Sequence, residues 1–156
     1  MAARTGAILI IEDFVDDAED LQTVLKQAAV YNPAEVVHSV TDAISHLTYV
    51  TRCNDPDRHP PVKIILLDLK LPGLDGFQFL EWLRVHPEFG DMLVVVVSGL
   101  DDLASIRRAY ALGADSFLIK PCKVADLESI MRSFPEYWER GAAVYPAVAP
   151  RPATAR

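Results

Sequence analysis

Glu12-Asp13 follows the run Ala7 to Ile11, Asp68 follows Val62 to Leu67, Ser98 follows Met92 to Val97, and Lys120-Pro121 follows Ser116 to Ile119. Apart from Lys63 in the second, the first three runs are apolar, as strands covered on both faces are, and the fourth is a shorter one that is apolar after Ser116. Each polar group therefore stands at the C-terminal end of a strand, the edge at which open parallel sheets bind ligands. Three carboxylates, one hydroxyl and one ammonium on one edge suit a divalent cation and a phosphoryl group. Carboxylate oxygens are the ligands that a hard cation takes. A hydroxyl and an ammonium bind phosphoryl oxygens.

The elements that must position these groups alternate. Asp16 to Val30 has helical spacing through Ala18, Leu21, Val24, Leu25 and Ala28, and Asn32-Pro33 ends it. Glu35 to Val40 is a weaker strand. Thr41 is placed to cap a helix running to about Thr51 through Ile44 and Leu47. Arg52 to Pro61 has three prolines and no periodicity and reads as a loop. Leu71 to Gly76 is a tight turn whose Asp75 can cap a helix over Gly76 to Val85. Asp101 to Leu112 is a further helix, with Asp101-Asp102 as its cap and first turn and Gly113 placed to end it. Val124 to Phe134 is the last helix. Five strands alternating with five helices predict a doubly wound α/β sandwich on a parallel sheet.

The bulk properties narrow the function. At 156 residues, with 51% hydrophobic residues, the chain has the material for one domain with a full core. Its formal net charge of -7 argues against non-specific nucleic-acid binding, which needs a basic face. Cys53 and Cys122 lack metal-ligand spacing and are expected to be reduced thiols in a cytoplasmic protein. Met1 to Gly6 is too short and polar for a signal peptide, and no apolar run approaches the ~20 residues that span a membrane. His38, His46, His59 and His86 fall in different elements and show no ligand spacing.

The motifs IIED (10–13), LLDLKLPGLDG (66–76), VVSG (96–99) and GADSFLIKP (113–121) together resemble the CheY-like receiver domain of two-component response regulators, over about residues 7 to 134. Each motif alone is weak; four in order, each at a strand end, are specific. The intervals from Asp68 to Ser98 and from Ser98 to Lys120 match the family. That from Asp13 to Asp68 is longer by about ten residues, an excess that falls in the Pro-rich loop, where insertion costs little.

The resemblance implies a flavodoxin-like (βα)5 fold with strand order 2-1-3-4-5, and it implies roles. Asp68 is the phosphoacceptor, taking a phosphoryl group from a histidine kinase or phosphotransfer protein. Asp13, Asp68 and the main-chain carbonyl of Lys70 bind Mg²⁺, with Glu12 acting through water. Ser98 and Lys120 hold the phosphoryl oxygens, and Gly99 leaves room for them. The Lys120-Pro121 bond is cis. Ser98 and Phe117 form the switch: the hydroxyl is drawn toward the phosphoryl group and the ring follows. Lys70 and Leu100 flank the attacking water, and Leu100 cannot hydrogen-bond it, so slow hydrolysis is expected. Because Asp16 and Asp17 follow closely, the alternative reading of Glu12-Asp13 is a solvated acidic loop after the strand.

These expectations add up to a stand-alone receiver that signals through the fourth helix, fifth strand and fifth helix. RSFPEYWER (132–140) and the long loop are also similar to single-domain regulators that partner phytochromes, which implies a phytochrome-like kinase. Phe134, Tyr137 and Trp138 lie at or beyond the Pro135 helix break and are expected to form a contact surface for a homodimer, the alternative being that they fold back onto the domain. Residues 135–140 are thus an aromatic extension, and 141–156 a Pro/Ala-rich disordered tail. Two rivals carry less. A phosphatase of the haloacid-dehalogenase type wants a second aspartate where Lys70 stands, and a receiver-like module that is never phosphorylated has no need of a complete site.

Overall fold

Along a strand, successive side chains point to opposite faces of the sheet, so a strand covered by helices on both sides must be apolar throughout. The computed structural model, which describes residues 6–141, bears this out for the three central strands, with Lys63 near the start of one and Ser98 at the end of another as the exceptions. The strands are β1 (Ala7–Ile11), β2 (Ala34–Val37), β3 (Val62–Leu67), β4 (Leu93–Ser98) and β5 (Ser116–Ile119). They form one parallel sheet in the order β2-β1-β3-β4-β5. The helices are α1 (Val15–Gln27), α2 (Val40–Cys53), α3 (Gly76–Arg84), α4 (Leu103–Ala111) and α5 (Val124–Ser133). Leu9, Ile11, Ile65 and Leu67 pack toward Val40, Leu47, Phe77 and Leu80 of α2 and α3. Ile8, Ile10, Ile64 and Leu66 pack toward Leu21, Leu25, Leu127 and Ile130 of α1 and α5. The order reverses at β1, which lies between β2 and β3, and the connections leaving β1 and β3 diverge to opposite faces. A crevice opens at that edge.

Local chemistry sets the helix ends. Asp75 caps α3 through a capping box: its carboxylate accepts from Gln78 N at 2.9 Å, and Gln78 Oε1 accepts from Asp75 N at 2.8 Å. Gly76 must be glycine, because a β carbon there would collide with the Asp68 carbonyl oxygen and the Leu69 Cα. The turn thereby brings α3 hard against the end of β3. Gly113 takes a φ of +108° just after α4, as its position predicts.

Several boundaries differ from the sequence reading. Ser39, not Thr41, caps α2, accepting from Asp42 N at 3.1 Å, so β2 stops at Val37 instead of reaching Val40. Helix α2 runs on to Cys53, into the expected loop, and Asn54 ends it at a φ of 51°. Asp102 is the cap of α4, leaving Asp101 outside the helix. Helix α1 ends at Gln27, and Ala29 turns left-handed at a φ of 58°, because Val30 is taken by another partner.

That partner is the segment after α5, and it corrects the expectation of an exposed aromatic surface. Pro135 does end α5, but a 3-10 turn over Pro135–Tyr137 sends the chain back across the α1–β2 connection. Val30 forms an antiparallel bridge with Arg140, and Tyr31 N donates to Glu139 O at 2.7 Å. The Asn32 amide nitrogen donates to Gly6 O (2.9 Å) and Tyr137 O (3.0 Å), and its oxygen accepts from Glu139 N (2.7 Å). Trp138 is only 5% exposed and joins the core on the α1/α5 side, with Phe134 and Tyr137 packed beside it. A large apolar area with main-chain partners within reach is buried more cheaply on its own domain than left for a second chain. The tail expected over 141–156 lies outside the described residues except for Gly141, whose N–H donates to Ala29 O.

Trp138→Ala should therefore lower unfolding free energy by about 3–5 kcal/mol, as for other buried aromatic truncations. Trp138→Phe should cost far less, because the indole N–H has no acceptor among the described residues and nothing is lost with it. Urea denaturation checks both, and a Trp138→Ala protein as stable as wild type would return the aromatics to the surface.

Candidate functional site

Three main-chain hydrogen bonds extend the sheet ladder by one residue and fix the polar groups at its edge. Glu12 N donates to Val37 O (3.0 Å), Asp68 N to Ile11 O (3.0 Å) and Lys120 N to Ser98 O (2.9 Å). The side chains beyond these bonds converge. Ligand atoms of Glu12, Asp13 and Asp68 all lie within 4.8 Å of one another. Glu12 is 1% exposed and Asp68 7%, and Ser98 is fully buried, while Asp13 is open to solvent.

Lys120 ties the cluster together. Its Nζ lies 2.6 Å from Glu12 Oε1, 2.7 Å from Asp17 Oδ2 and 3.4 Å from Asp68 Oδ2. Burial raises the Glu12 carboxyl above its ordinary range, against the opposing pull of Lys120. Burial alone would lower the Lys120 ammonium, but hydrogen bonds to Asp17 and Glu12 and the charge of Asp68 outweigh it and hold the ammonium above the usual lysine range. Glu12 is further fixed by Phe14 N, which donates to its Oε2 at 3.1 Å. Lys70 N donates weakly to Asp68 Oδ1 at 3.4 Å, and Ser98 Oγ accepts from Leu100 N at 3.2 Å. The Lys120-Pro121 bond is cis. Phe117 is half-buried and stands opposite Val96 in the β4–β5 register, packed on the α2/α3/α4 side.

Two residues here escaped the sequence reading. Asp17, given no role by the sequence, stands in the first turn of α1 and grips Lys120. Its signal is position: one helical turn beyond Asp13 puts it back over the sheet edge. His38 was set aside with the other histidines, yet its Nδ1 lies 2.9 Å from the Glu12 main-chain oxygen and steadies the β1 end. Cys122 is a free thiol: burial, aided by Asp126, pushes it up to about 11, so it stays protonated.

The donor set is all oxygen, two buried carboxylates and one exposed, at a topological switch point. It fits a hard divalent cation that keeps several waters, such as Mg²⁺. No helix among the described residues is long and apolar enough to cross a membrane.

Lys120→Met would strand a buried carboxylate and should lower stability by about 3 kcal/mol near neutral pH. Glu12 has its ionisation shifted upward in the folded protein, so the folded state binds extra protons as pH falls and the stranded-charge cost is relieved. The contribution of Lys120, raised in the folded state, is complete below the ordinary lysine range and is lost only as pH rises through its folded value. The gap between wild type and variant should therefore narrow from about pH 7 to about pH 5 in urea titrations. A gap that widens on acidification would contradict this arrangement of charge.

The whole (βα)5 unit matches one family. The family model for the response regulator receiver domain covers residues 8–132. Response regulator Rcp1 of Synechocystis is 24% identical over 131 residues, covering 84% of this chain and 87% of Rcp1. The structure is similar to that of the phosphorylated cyanobacterial phytochrome response regulator RcpA, with a TM-score of 0.67, 25% identity and coverage of 87% and 94% of the two chains. It is also similar to RPA3017, a response regulator in red light signalling of R. palustris, with a TM-score of 0.68, 26% identity and coverage of 95% and 99%. A Mn²⁺-bound form of Rcp1 shares the fold, at a TM-score of 0.65 and 23% identity over 94% and 99% of the two chains. With its strand order, its acidic edge and its family match in agreement, the chain belongs to the response regulator receiver domains of two-component systems.

Proposed function

We propose that Asp68 accepts a phosphoryl group from a phosphohistidine on a histidine kinase or phosphotransfer protein, and that the chain is a cytoplasmic phospho-switch. One observation carries this reading: the Asp68 carboxylate stands at the switch point of the sheet, clustered with the carboxylates of Glu12 and Asp13 and with the Lys120 ammonium 3.4 Å away. An Asp68 oxygen attacks phosphorus, the P–N bond of the donor breaks, and the bonding pair returns to the imidazole, which takes up a proton. The product is an acyl phosphate on Asp68. Lys120 and Ser98 hold phosphoryl oxygens, and Gly99 leaves room for them.

Asp13, Asp68 and the Lys70 carbonyl would hold Mg²⁺, with Glu12 acting through water. When bound, the ion neutralises charge on the transferring phosphoryl group. Support for such a cation comes from the oxygen-only cluster and from the Mn²⁺ bound by Rcp1. Ser98 and Phe117 then carry the signal: the hydroxyl gives up Leu100 N for a phosphoryl oxygen, and the half-buried ring follows. The output surface is α4, β5 and α5, where Leu103, Tyr110 and Ile119 are exposed on α4 and β5. The phytochrome and red-light settings of RcpA and RPA3017 favour a phytochrome-like kinase as donor.

Labelling by a small phosphodonor tests this reading. Wild type should form an acid-labile adduct only with Mg²⁺ present, and Asp68→Asn should form none. Asp13→Ala should lose both the labelling and the Mg²⁺ titration. Full labelling of Asp68→Asn, or an unchanged titration in Asp13→Ala, would refute the assignments. Leu100→Glu should shorten the phosphoryl lifetime by at least about tenfold, because a carboxylate at that place can hydrogen-bond the attacking water. A lifetime that stays the same or grows would show that Leu100 does not limit hydrolysis.

A further inference from the structure

An ammonium has three N–H donors and no acceptor. In this structure three carboxylates surround that of Lys120: Glu12 at 2.6 Å, Asp17 at 2.7 Å and Asp68 at 3.4 Å. Only the bonds to Glu12 and Asp17 are short, so for Lys120 to move onto a phosphoryl group on Asp68, as the reading above has it, one of those two must lengthen. The three differ in what yielding would cost. Glu12 is almost wholly buried and is pinned by Phe14 N, so without Lys120 it would be left as an uncompensated interior charge. Asp68 is the group that carries the phosphoryl and cannot leave. Asp17 has a side chain 32% exposed, and water can replace its bond to Lys120 at little cost. It also stands at the N-terminal end of α1, where the helix dipole stabilises a carboxylate released to solvent.

We propose that Asp17 is a positioning residue that holds Lys120 in a resting place against α1, and that phosphoryl entry exchanges the Asp17 bond for one to a phosphoryl oxygen. The inference rests on Asp68 being the acceptor. It adds a residue whose grip sets the rate of entry, and an event at α1 that accompanies phosphorylation. Asp17, Lys120 and Cys122 line one cleft between α1 and the connection from β5 to α5, so a released Asp17 changes the charge presented there.

A mutant cycle tests this, with labelling rates from a small phosphodonor at saturating Mg²⁺. Asp17→Asn should accelerate labelling about three- to fivefold, the worth of one partly exposed ion pair. Asp17→Glu should restore the wild-type rate. In a Lys120→Met background Asp17→Asn should change nothing. Labelling of Asp17→Asn at or below the wild-type rate overturns the proposal. So does an acceleration that persists without Lys120, which would mark a field effect on the incoming anion. Wild type that takes no label at Asp68 would instead overturn the acceptor reading beneath it. A second measurement needs no turnover. In wild type, a beryllofluoride phosphoryl mimic should move the Asp17 carboxylate carbon NMR signal toward its position in Lys120→Met, and an unmoved signal overturns the exchange.

Discussion

Negative charge gathered out of water is the constraint on which this structure turns. Glu12 is 1% exposed, Asp68 is 7% exposed, and Asp13 lies within the same 4.8 Å cluster. Such a group of carboxylates repels itself and loses hydration, so it persists only where the fold supplies compensation. Lys120 supplies most of it, and main-chain donors supply more: Phe14 N to Glu12 and Lys70 N to Asp68. The sheet exists, from the site's point of view, to keep four strand ends in register so that this compensation stays in place. Ladder bonds at Glu12, Asp68 and Lys120 do that directly, and apolar cores on both faces hold the ladder. On the proposed reading, the same charge makes the site receptive to a cation and, once one is bound, to a phosphoryl group.

Tension between burial and charge also gives the proposed switch its direction. Lys120 leans toward Glu12 and Asp17 and away from Asp68, so the resting site holds its cation to one side. On the proposed reading, a phosphoryl group on Asp68 replaces one negative charge with about two at the place where Lys120 is held least tightly. Lys120, just after β5, and Ser98, at the end of β4, then respond from neighbouring strand ends. Phe117 lies three residues before Lys120 on β5, opposite Val96 of β4, so movement at either strand end reaches the ring through one short element.

The strands were legible because double-sided burial leaves a plain mark: runs such as AILII and VKIILL need little context. The Asp75 cap was equally plain, since its partner Gln78 lies three residues on. The order of strands came from the resemblance, because nothing in the apolar runs says which strand lies beside which. Asp17 was hidden because an acidic residue in a first helical turn is usually satisfied by the dipole and water. Only the fold reveals Lys120 across from it, 103 residues away in the chain. The strap after Pro135 was hidden for a related reason. Its anchor, Asn32, looked like a helix terminator, and its partners Gly6, Tyr137 and Glu139 come from the two ends of the described chain. Ser39 and Thr41 both qualify as caps by residue type, and the choice fell to whichever one the end of β2 left extended.

The central claim is that one carboxylate among many carries the phosphoryl group. Borohydride cleaves an acyl phosphate and reduces its carbonyl carbon, so a phosphorylated aspartate becomes homoserine, which peptide mass spectrometry locates. After phosphorylation in the presence of Mg²⁺, the account predicts this conversion at Asp68 and nowhere else in the chain. Conversion at Asp13, Asp17 or any other aspartate, or a stable phosphoryl adduct on a histidine, would contradict it.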